Sequence, residues 1–426
     1  PTSGWTQNDL GSSFAVSSTT EKTGVAGAYD STNDRLLVVF VNGTTVKQAR
    51  ITFTRDGSNN ITGYTAGSVL TIDLTTATGG NSNIDAAYNP SAWMLHNGEV
   101  QVVAGGNSTA GTKTGRVYGW RVVFGSPPTF KDDAGTASTI DALGTEYTTN
   151  HTTHYPTIVQ RTNSGTGQYD LWCFYTATDG TASHIHPQKI KATWSSPNWS
   201  WGSAANTSWG VPGALPYLSS NYDTANGLIV LSATDYVAYS TVYCLTINSS
   251  NTDSDISKTG LSSYKRIGTS LAINGSDYYV FYHIGASPNG TIYYIKRTGG
   301  SWGSQTSFAS AAECYPSAKV DGAGNRIELI WTHYTGSAYN IYYDSISLAA
   351  GQNYVADLSQ SITTSRQVVT QWSASVVPSQ SLTTTFNKVT QWNTLADLSE
   401  QLSCSGNVLA YYGSEIGLSQ SISSSW

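Results

Sequence analysis

A β-rich unit recurs six times along this chain, and the last copy is the clearest: Tyr315-Pro-Ser-Ala-Lys-Val, then Arg326-Ile-Glu-Leu-Ile-Trp, then Asn340-Ile-Tyr-Tyr-Asp. Three short strands follow one another through turn-rich joints, Asp321-Gly-Ala-Gly-Asn325 and Thr335-Gly-Ser. The fifth copy reads Thr269-Ser-Leu-Ala-Ile, Tyr278-Tyr-Val-Phe-Tyr and Thr291-Ile-Tyr-Tyr-Ile, with Ser301-Trp302-Gly as a fourth strand. Earlier copies centre on Leu36-Leu-Val-Val-Phe, Val100-Gln-Val-Val, Leu171-Trp-Cys-Phe-Tyr and Leu228-Ile-Val-Leu. Equivalent positions lie roughly 50 to 70 residues apart, as expected of four-stranded units with variable loops. Such a sheet repeated radially is a β-propeller blade, so the expectation is an all-β chain with a six-bladed propeller over residues 1–350. A seventh blade is expected only if the stretch between Val122 and His154 holds one.

The phase of the repeat suggests how the ring closes. Gly4-Trp-Thr-Gln-Asn-Asp-Leu resembles the fourth strand Gly300-Ser-Trp-Gly-Ser-Gln-Thr, and the sixth copy has no fourth strand of its own after Tyr343. Residues 4–10 are therefore expected to supply it, which removes exposed sheet edges.

From about residue 354 a second repeat takes over, 20 residues long and in strict register. Leu358, Pro378, Leu398 and Leu418 are equivalent, as are Ile362, Leu382, Leu402 and Ile422, and Trp372, Trp392 and Tyr412. Two strands of five to seven residues around a Gly, Asn or Lys turn predict hairpins over 351–426. Apolar residues at Ile362, Val369, Trp372 and Val376 also fit a helical period, but the Thr and Ser runs, Pro378 and Gly417 make poor helix interiors. Isolated hairpins are only marginally stable, so the tail is expected to stack on itself, on the propeller or on another copy, giving a homo-oligomer or larger assembly.

Composition excludes several functions. Only 11% of the 426 residues are charged, against a usual share of about 25%, and the net charge is −6. No basic stripe exists to neutralise phosphates, so nucleic acid is not an expected partner. No run of 18 apolar residues occurs, so no membrane span is expected. The chain opens on Pro1 without a signal-peptide pattern and stops within a repeat at Trp426, which reads as a mature or trimmed product. Cys173, Cys244, Cys314 and Cys404 show no metal-knuckle spacing; buried thiols and disulfides both remain open.

Propeller geometry places the loops between second and third strands on the same face as the loops entering each first strand. His151, His154, His184, His186, His283 and His333 fall at that face, and His96 at the other. Tyr175, Tyr236, Tyr282, Trp331 and Tyr334 crowd beside them. With His283 and His333 they form a candidate ligand-binding surface, of the polar-aromatic kind that stacks on sugar rings. His184 and His186 have the spacing of two strand ligands, with His151 or His154 as a third, yet no carboxylate cluster accompanies them and solvent-facing loop residues explain them equally well. A glycosidase needs two carboxyl groups flanking the bond. The candidates on this face are Glu146, Glu313, Asp179 and Asp235, with nothing to single out a pair. No nucleophile elbow, phosphate loop or zinc-protease motif is present, and no cofactor is expected.

The fifth and sixth copies resemble the repeats of sialidase-like propellers of the bacterial neuraminidase type, in which a Tyr-Tyr strand precedes a Ser/Thr-x-Asp-Gly-Gly-x-Trp turn. Tyr293-Tyr-Ile-Lys-Arg-Thr-Gly-Gly-Ser-Trp302 carries the outline, with Thr298 at the place of the Asp. The resemblance implies the fold. Sialidase activity would need three arginines on the substrate carboxylate and an Arg-Ile-Pro near the first strand, whereas Arg266-Ile-Gly lies in a different copy. The tail is similar to repeats of archaeal surface proteins and viral adhesins.

Sequons stand at Asn42, Asn60, Asn107, Asn150, Asn198, Asn206, Asn248, Asn274 and Asn289, none of them in the tail. These features favour an extracellular, cell-surface or virion-surface adhesin: a propeller head that binds glycans or a cell-surface protein, displayed on an assembling tail. A secreted glycoside hydrolase and a purely structural lattice or filament subunit are the alternatives.

Overall fold

In the computed structural model the described residues are 25–57, 61–76, 78, 86–107, 116–143, 154–163, 168–178, 185–209, 217–234, 240–262, 264, 266–286, 289–310, 313–320, 326–334 and 339–348, together with the strands of the repeat tail. All regular structure is β, arranged as six successive sheets followed by two more built from the 20-residue repeats. No described helix is long and apolar enough to cross a membrane. Two compact units divide between Ile346 and Ser347.

The six sheets are propeller blades. Their first strands are Val25–Asp30, Ala86–Met94, His154–Asn163, Tyr217–Asp223, Arg266–Asn274 and Glu313–Val320, and each neighbours the next around the axis. Within each blade the chain runs outward through antiparallel neighbours. Blades one, two, three and five have an outer edge in two pieces, such as Asn198–Trp201 and Ala205–Asn206, both paired with Ile185–Ser195 in blade three. Among the described residues, the stretch between Val122 and His154 forms no seventh blade. Its strands Thr129–Lys131 and Asp141–Leu143 both pair with Arg116–Val123 and complete blade two. The expected closing strand at residues 4–10 lies outside the described residues.

The apolar runs are continuous because a blade is covered on both faces. In Leu171-Trp-Cys-Phe-Tyr, side chains alternate: Leu171, Cys173 and Tyr175 pack with Val103, Val117 and Leu143 of blade two. Trp172 and Phe174 pack with Leu218 and Leu231 of blade four. Cys173 and Cys244 are buried free thiols, and burial pushes the Cys244 thiol up to about 12.

Four of the six first strands carry a bulge. Register slips between Tyr88 and Ser91, His154 and Thr157, Ile267 and Thr269, and Cys314 and Ser317. Pro90, Pro156 and Pro316 occupy three of these bulges, where a missing N–H costs no ladder bond. In blade five Gly268 takes the position at φ +62°, facing Tyr315 of blade six, which itself adopts φ 51°.

Hydroxyls stitch the first strands of blades two to six to one another. Ser91 Oγ accepts from Ile158 N–H at 3.2 Å, Thr157 Oγ1 from Ser220 N–H at 3.2 Å, and Ser219 Oγ from Leu271 N–H at 3.1 Å. Ser270 Oγ accepts from Ala318 N–H at 2.8 Å. Inner-strand N–H groups facing a neighbouring blade thus find acceptors without a continuous ladder.

The described strands of the repeat tail form two sheets. Gln352–Ala356, Trp372–Val376, Trp392–Asp397 and Tyr412–Gly417 form one sheet; Thr363–Arg366, Leu382–Phe386, Leu402–Gly406 and Ser423–Ser425 form the other. Every pairing is parallel and joins equivalent repeat positions, as in Trp372 with Trp392 and Trp392 with Tyr412. A strand pairs with its copy 20 residues on rather than with its neighbour in the same unit. The strict repeat length is the reason: only repeat-on-repeat stacking puts equivalent positions opposite one another.

Candidate functional site

The joint between blades two and three carries a cleft of about 490 Å³, bounded by Asp133 and Asp141 on one side and by Trp199, Trp201 and Ser203 on the other. Local backbone pairing builds it. Trp199 N–H donates to the Asp133 carbonyl at 3.0 Å, which docks the outer strand of blade three on blade two. Gly202 N–H then returns to the Lys191 carbonyl at 2.8 Å, breaking the outer strand and leaving residues 202–204 as the rim.

Asp133 is the centre of the site. It is 1% exposed. Its Oδ2 accepts from the Trp201 indole N–H and, at 3.3 Å, from Gln101 Nε2. Its backbone N–H donates to Asp141 Oδ2 at 2.6 Å, and its Oδ1 lies 3.5 Å from Arg121 Nε. Burial pushes the Asp133 carboxyl up to about 7 and raises that of Asp141 as well. Burial raises both groups, so they hold protons to a higher pH than free carboxylates do and can then donate as well as accept hydrogen bonds.

Cations of the joint are already engaged. Arg121, wholly buried, donates Nη1 to Glu99 Oε2 at 3.1 Å and to the Pro197 carbonyl at 2.9 Å. Its Nη2 reaches the Asp133 carbonyl at 3.1 Å and Asn198 Oδ1 at 3.2 Å, and its Nε the Asp132 carbonyl at 3.2 Å. Lys131 Nζ pairs with Glu99 Oε1 at 2.6 Å. Neither is placed to take up the charge of an acidic ligand.

An equivalent position in blade five shows what is particular here. Trp302 occupies the same place on its outer strand as Trp201, and its indole N–H also reaches back to the preceding blade, but there it meets the Ile256 carbonyl. A backbone carbonyl therefore satisfies the packing role. Blade two supplies instead a buried carboxyl coupled to a second one at the cleft.

Aromatic rings extend from the cleft wall. Trp199 lies 5.1 Å from Trp194 and 6.0 Å from His96, which stacks on Tyr169 at 3.5 Å and 9°.

The sequence-derived candidates are distributed otherwise. Tyr175 and Tyr282 are enclosed between blades at 1% and 0% exposure, and Trp331 is buried, so the expected open aromatic face is corrected at these positions. Neighbouring blades cover both sides of a second strand up to its end. His283 is likewise fully buried; its Nδ1 accepts from Tyr315 N–H at 3.3 Å, and loss of solvent lowers its pKa to about 4. His333 is half-buried and stacks on Tyr342 at 4.4 Å, while its strand position pairs with Glu313. Tyr334 ends the strand Arg326–Tyr334.

Tyr236, Glu146, Asp179, Asp235, His151 and His184 lie outside the described residues. His154 and His186 sit at one end of blade three, opposite Thr176 and Ala177 respectively. Among the described residues no group of three His, Cys, Asp or Glu side chains is placed to hold a metal.

Of the sequons, Asn60 and Asn150 lie outside the described residues, and Asn42, Asn107, Asn274 and Asn289 stand at strand ends. Asn198, Asn206 and Asn248 use their Oδ1 as acceptors from Arg121, Gln188 and the Ser250 and Thr252 N–H groups. Those bonds leave Nδ2, the glycan-bearing atom, unused.

Asp133, Asp141, Trp199 and Trp201 were not among the sequence-derived candidates. Their signals were present: the adjacent acids Asp132-Asp133 after a short strand, and Ser200-Trp201-Gly202, which repeats Ser301-Trp302-Gly303. Only the fold joins them.

No protein-family model matches the sequence, and no curated protein matches it. Among solved structures the chain is similar to AofleA from Arthrobotrys oligospora, at 12% identity over 77% of this chain and 87% of that one, with a TM-score of 0.42. A Hadza microbial sialidase gives 9% identity, 77% and 66% coverage and a TM-score of 0.43. A protein of unknown function from Dyadobacter fermentans gives 10% identity, 78% and 97% coverage and a TM-score of 0.43. Identities this low leave the function to be argued from the site itself.

Proposed function

We propose that this chain is a non-enzymatic, extracellular glycan-binding protein whose propeller takes a neutral saccharide in the cleft between blades two and three. The observation that carries this reading is the substitution of a coupled, cleft-lining carboxyl pair for the backbone carbonyl that serves Trp302 in blade five. A protonated carboxyl group can accept from one sugar hydroxyl and donate to another, and the half-buried Trp201 indole supplies an apolar wall for a pyranose face. With Arg121 and Lys131 already engaged by carboxylates and carbonyls, the cleft favours uncharged sugars over acidic ones.

The same geometry weighs against hydrolysis at this site. Glycosidases hold their two carboxyl groups about 5 Å or more apart, with the bond between them. Asp141 accepts from the Asp133 backbone N–H, so the two acids stand side by side rather than on either side of a bond. In this reading the repeat tail serves as the assembly element of an adhesin or spike, through stacking of its parallel repeats.

The test is a screen of neutral mono- to hexasaccharides of glucose, galactose, mannose and N-acetylglucosamine, read for binding and for cleavage. Binding without turnover, lost in Trp201→Ala and weakened in Asp141→Ala, is the expected result. Turnover abolished by Asp133→Asn would replace this reading with the hydrolase, and absence of binding across the series would overturn it.

A further inference from the structure

We infer that the ligand is an oligosaccharide chain that extends from the cleft onto a second subsite formed by His96, Tyr169 and Trp194; this rests on the proposed function above. The subsite is built, not incidental. His96 belongs to an exposed turn of blade two, yet Gln160, buried on the first strand of blade three, grips it twice. His96 N–H donates to Gln160 Oε1 at 2.9 Å, and Gln160 Nε2 lies 2.7 Å from His96 Nδ1.

The first bond fixes which end of the Gln160 amide is oxygen. The second therefore runs from the amide N–H to His96 Nδ1, which acts as acceptor. In the neutral ring the proton sits on Nε2, and that N–H has no partner among the described residues. The ring is thus held in one orientation, stacked on Tyr169 and edge-on to Trp194 at 4.9 Å, with an unused donor at an exposed position.

Continuity with the cleft identifies the occupant. Trp199, buried, lines the cleft and packs against both His96 and Trp194, so the subsite and the cleft rest on one ring. Both regions offer half-buried aromatic surface and neutral or protonated polar groups. A polymer of repeated, uncharged hydroxylated rings meets both with one chemistry. The cleft would take one end of the chain, and the His96 subsite a later unit, with Nε2–H directed at a ring or hydroxyl oxygen.

The chain-length series decides it, with affinity measured by titration calorimetry on the full chain for mono- through hexasaccharides of the sugar that binds. Affinity is expected to rise with length and then level off. His96→Ala and Trp194→Leu are expected to lose about fivefold for the longer members while leaving the monosaccharide unchanged. Trp201→Ala weakens every member. His96→Ala also leaves the buried Gln160 amide without its acceptor, so a melting curve matching the parent's is required of it, and Trp194→Leu tests the subsite independently. Affinity independent of length, or equal losses at all lengths in His96→Ala, would overturn the second subsite while leaving the cleft. Binding by none of the series removes the cleft reading and this one together.

Discussion

Ser270 of blade five and Ala318 of blade six exchange hydrogen bonds across their blade boundary: Ala318 N–H donates to Ser270 Oγ at 2.8 Å, and the hydroxyl lies 3.4 Å from the Ala318 carbonyl that accepts from it. One small side chain thereby serves both polar groups of a neighbouring backbone residue. Acceptance of a neighbouring strand's N–H by a hydroxyl recurs at Ser91, Thr157 and Ser219, so these central strands are joined by hydroxyls rather than by a shared sheet.

Ser270→Ala leaves the partly buried Ala318 N–H without its acceptor, at a cost of about 1 kcal/mol. Ser270→Thr keeps the hydroxyl and should recover most of it. Denaturant titration of the two variants checks this, and equal stability for Ala and Thr would show that the bond contributes nothing.

Arg121→Lys should be strongly destabilising although charge is conserved. A single ammonium cannot reach Glu99, the Asp132, Asp133 and Pro197 carbonyls and Asn198 together. The expected loss is about 3–5 kcal/mol, the range for breaking a buried ionic network. Hydrogen exchange should show opening at the joint of blades two and three before the rest of the propeller.

Two buried groups act on stability in opposite directions with pH. Asp133, raised from the ordinary carboxylate value to about 7, keeps its proton in the folded state after the unfolded chain has lost it. Its contribution is full at low pH and falls as pH rises from about 4 to about 7. His283, lowered to about 4, stays neutral in the fold while the unfolded chain protonates below about 6.5. Its contribution is present above that value and is lost as pH falls towards 4. The parent protein should therefore show a shallow profile. Asp133→Asn, which mimics the protonated acid, should gain on the parent as pH rises towards 8. His283→Gln should gain on it as pH falls from 6.5 to 4. Thermal melts across this range separate the two; parallel profiles for parent and variants would disprove both shifts.

In the repeat tail, equivalent positions lie opposite one another: Trp372 with Trp392, and Trp392 with Tyr412. Deleting one complete 20-residue unit, 378–397, keeps every remaining pairing in register, whereas deleting 378–387 sets unlike positions opposite each other. The first variant should keep the parent's β-sheet circular dichroism per residue and the second should lose it. Equal outcomes would contradict parallel, repeat-on-repeat pairing.

The blades were legible where burial is symmetric. Leu171-Trp-Cys-Phe-Tyr reads as a strand because both of its faces meet a neighbouring blade, and the Tyr-Pro-Ser string at 315–317 marked a first strand whose bulge the proline explains. Exposure was overestimated at three candidate positions for the same physical reason. Tyr175, Tyr282 and His283 stand beside loops in the sequence and look exposed, but the blade on either side covers them. Likewise the tail's strands were legible and their partners were not, since five-residue Thr- and Ser-rich strands suit a hairpin or a parallel coil equally well.

By itself the sequence determined the all-β character, the number of blades and the 20-residue period, because these depend on side-chain alternation, turn residues and spacing along one chain. Tertiary structure decided which side chains meet. Asp133 and Trp201 are 68 residues apart, and Gln160 and His96 are 64 apart, so no local pattern relates them. Their contacts exist because adjacent blades bring strand edges from distant segments within hydrogen-bonding reach, and burial there then changes how the carboxyl and imidazole groups hold their protons.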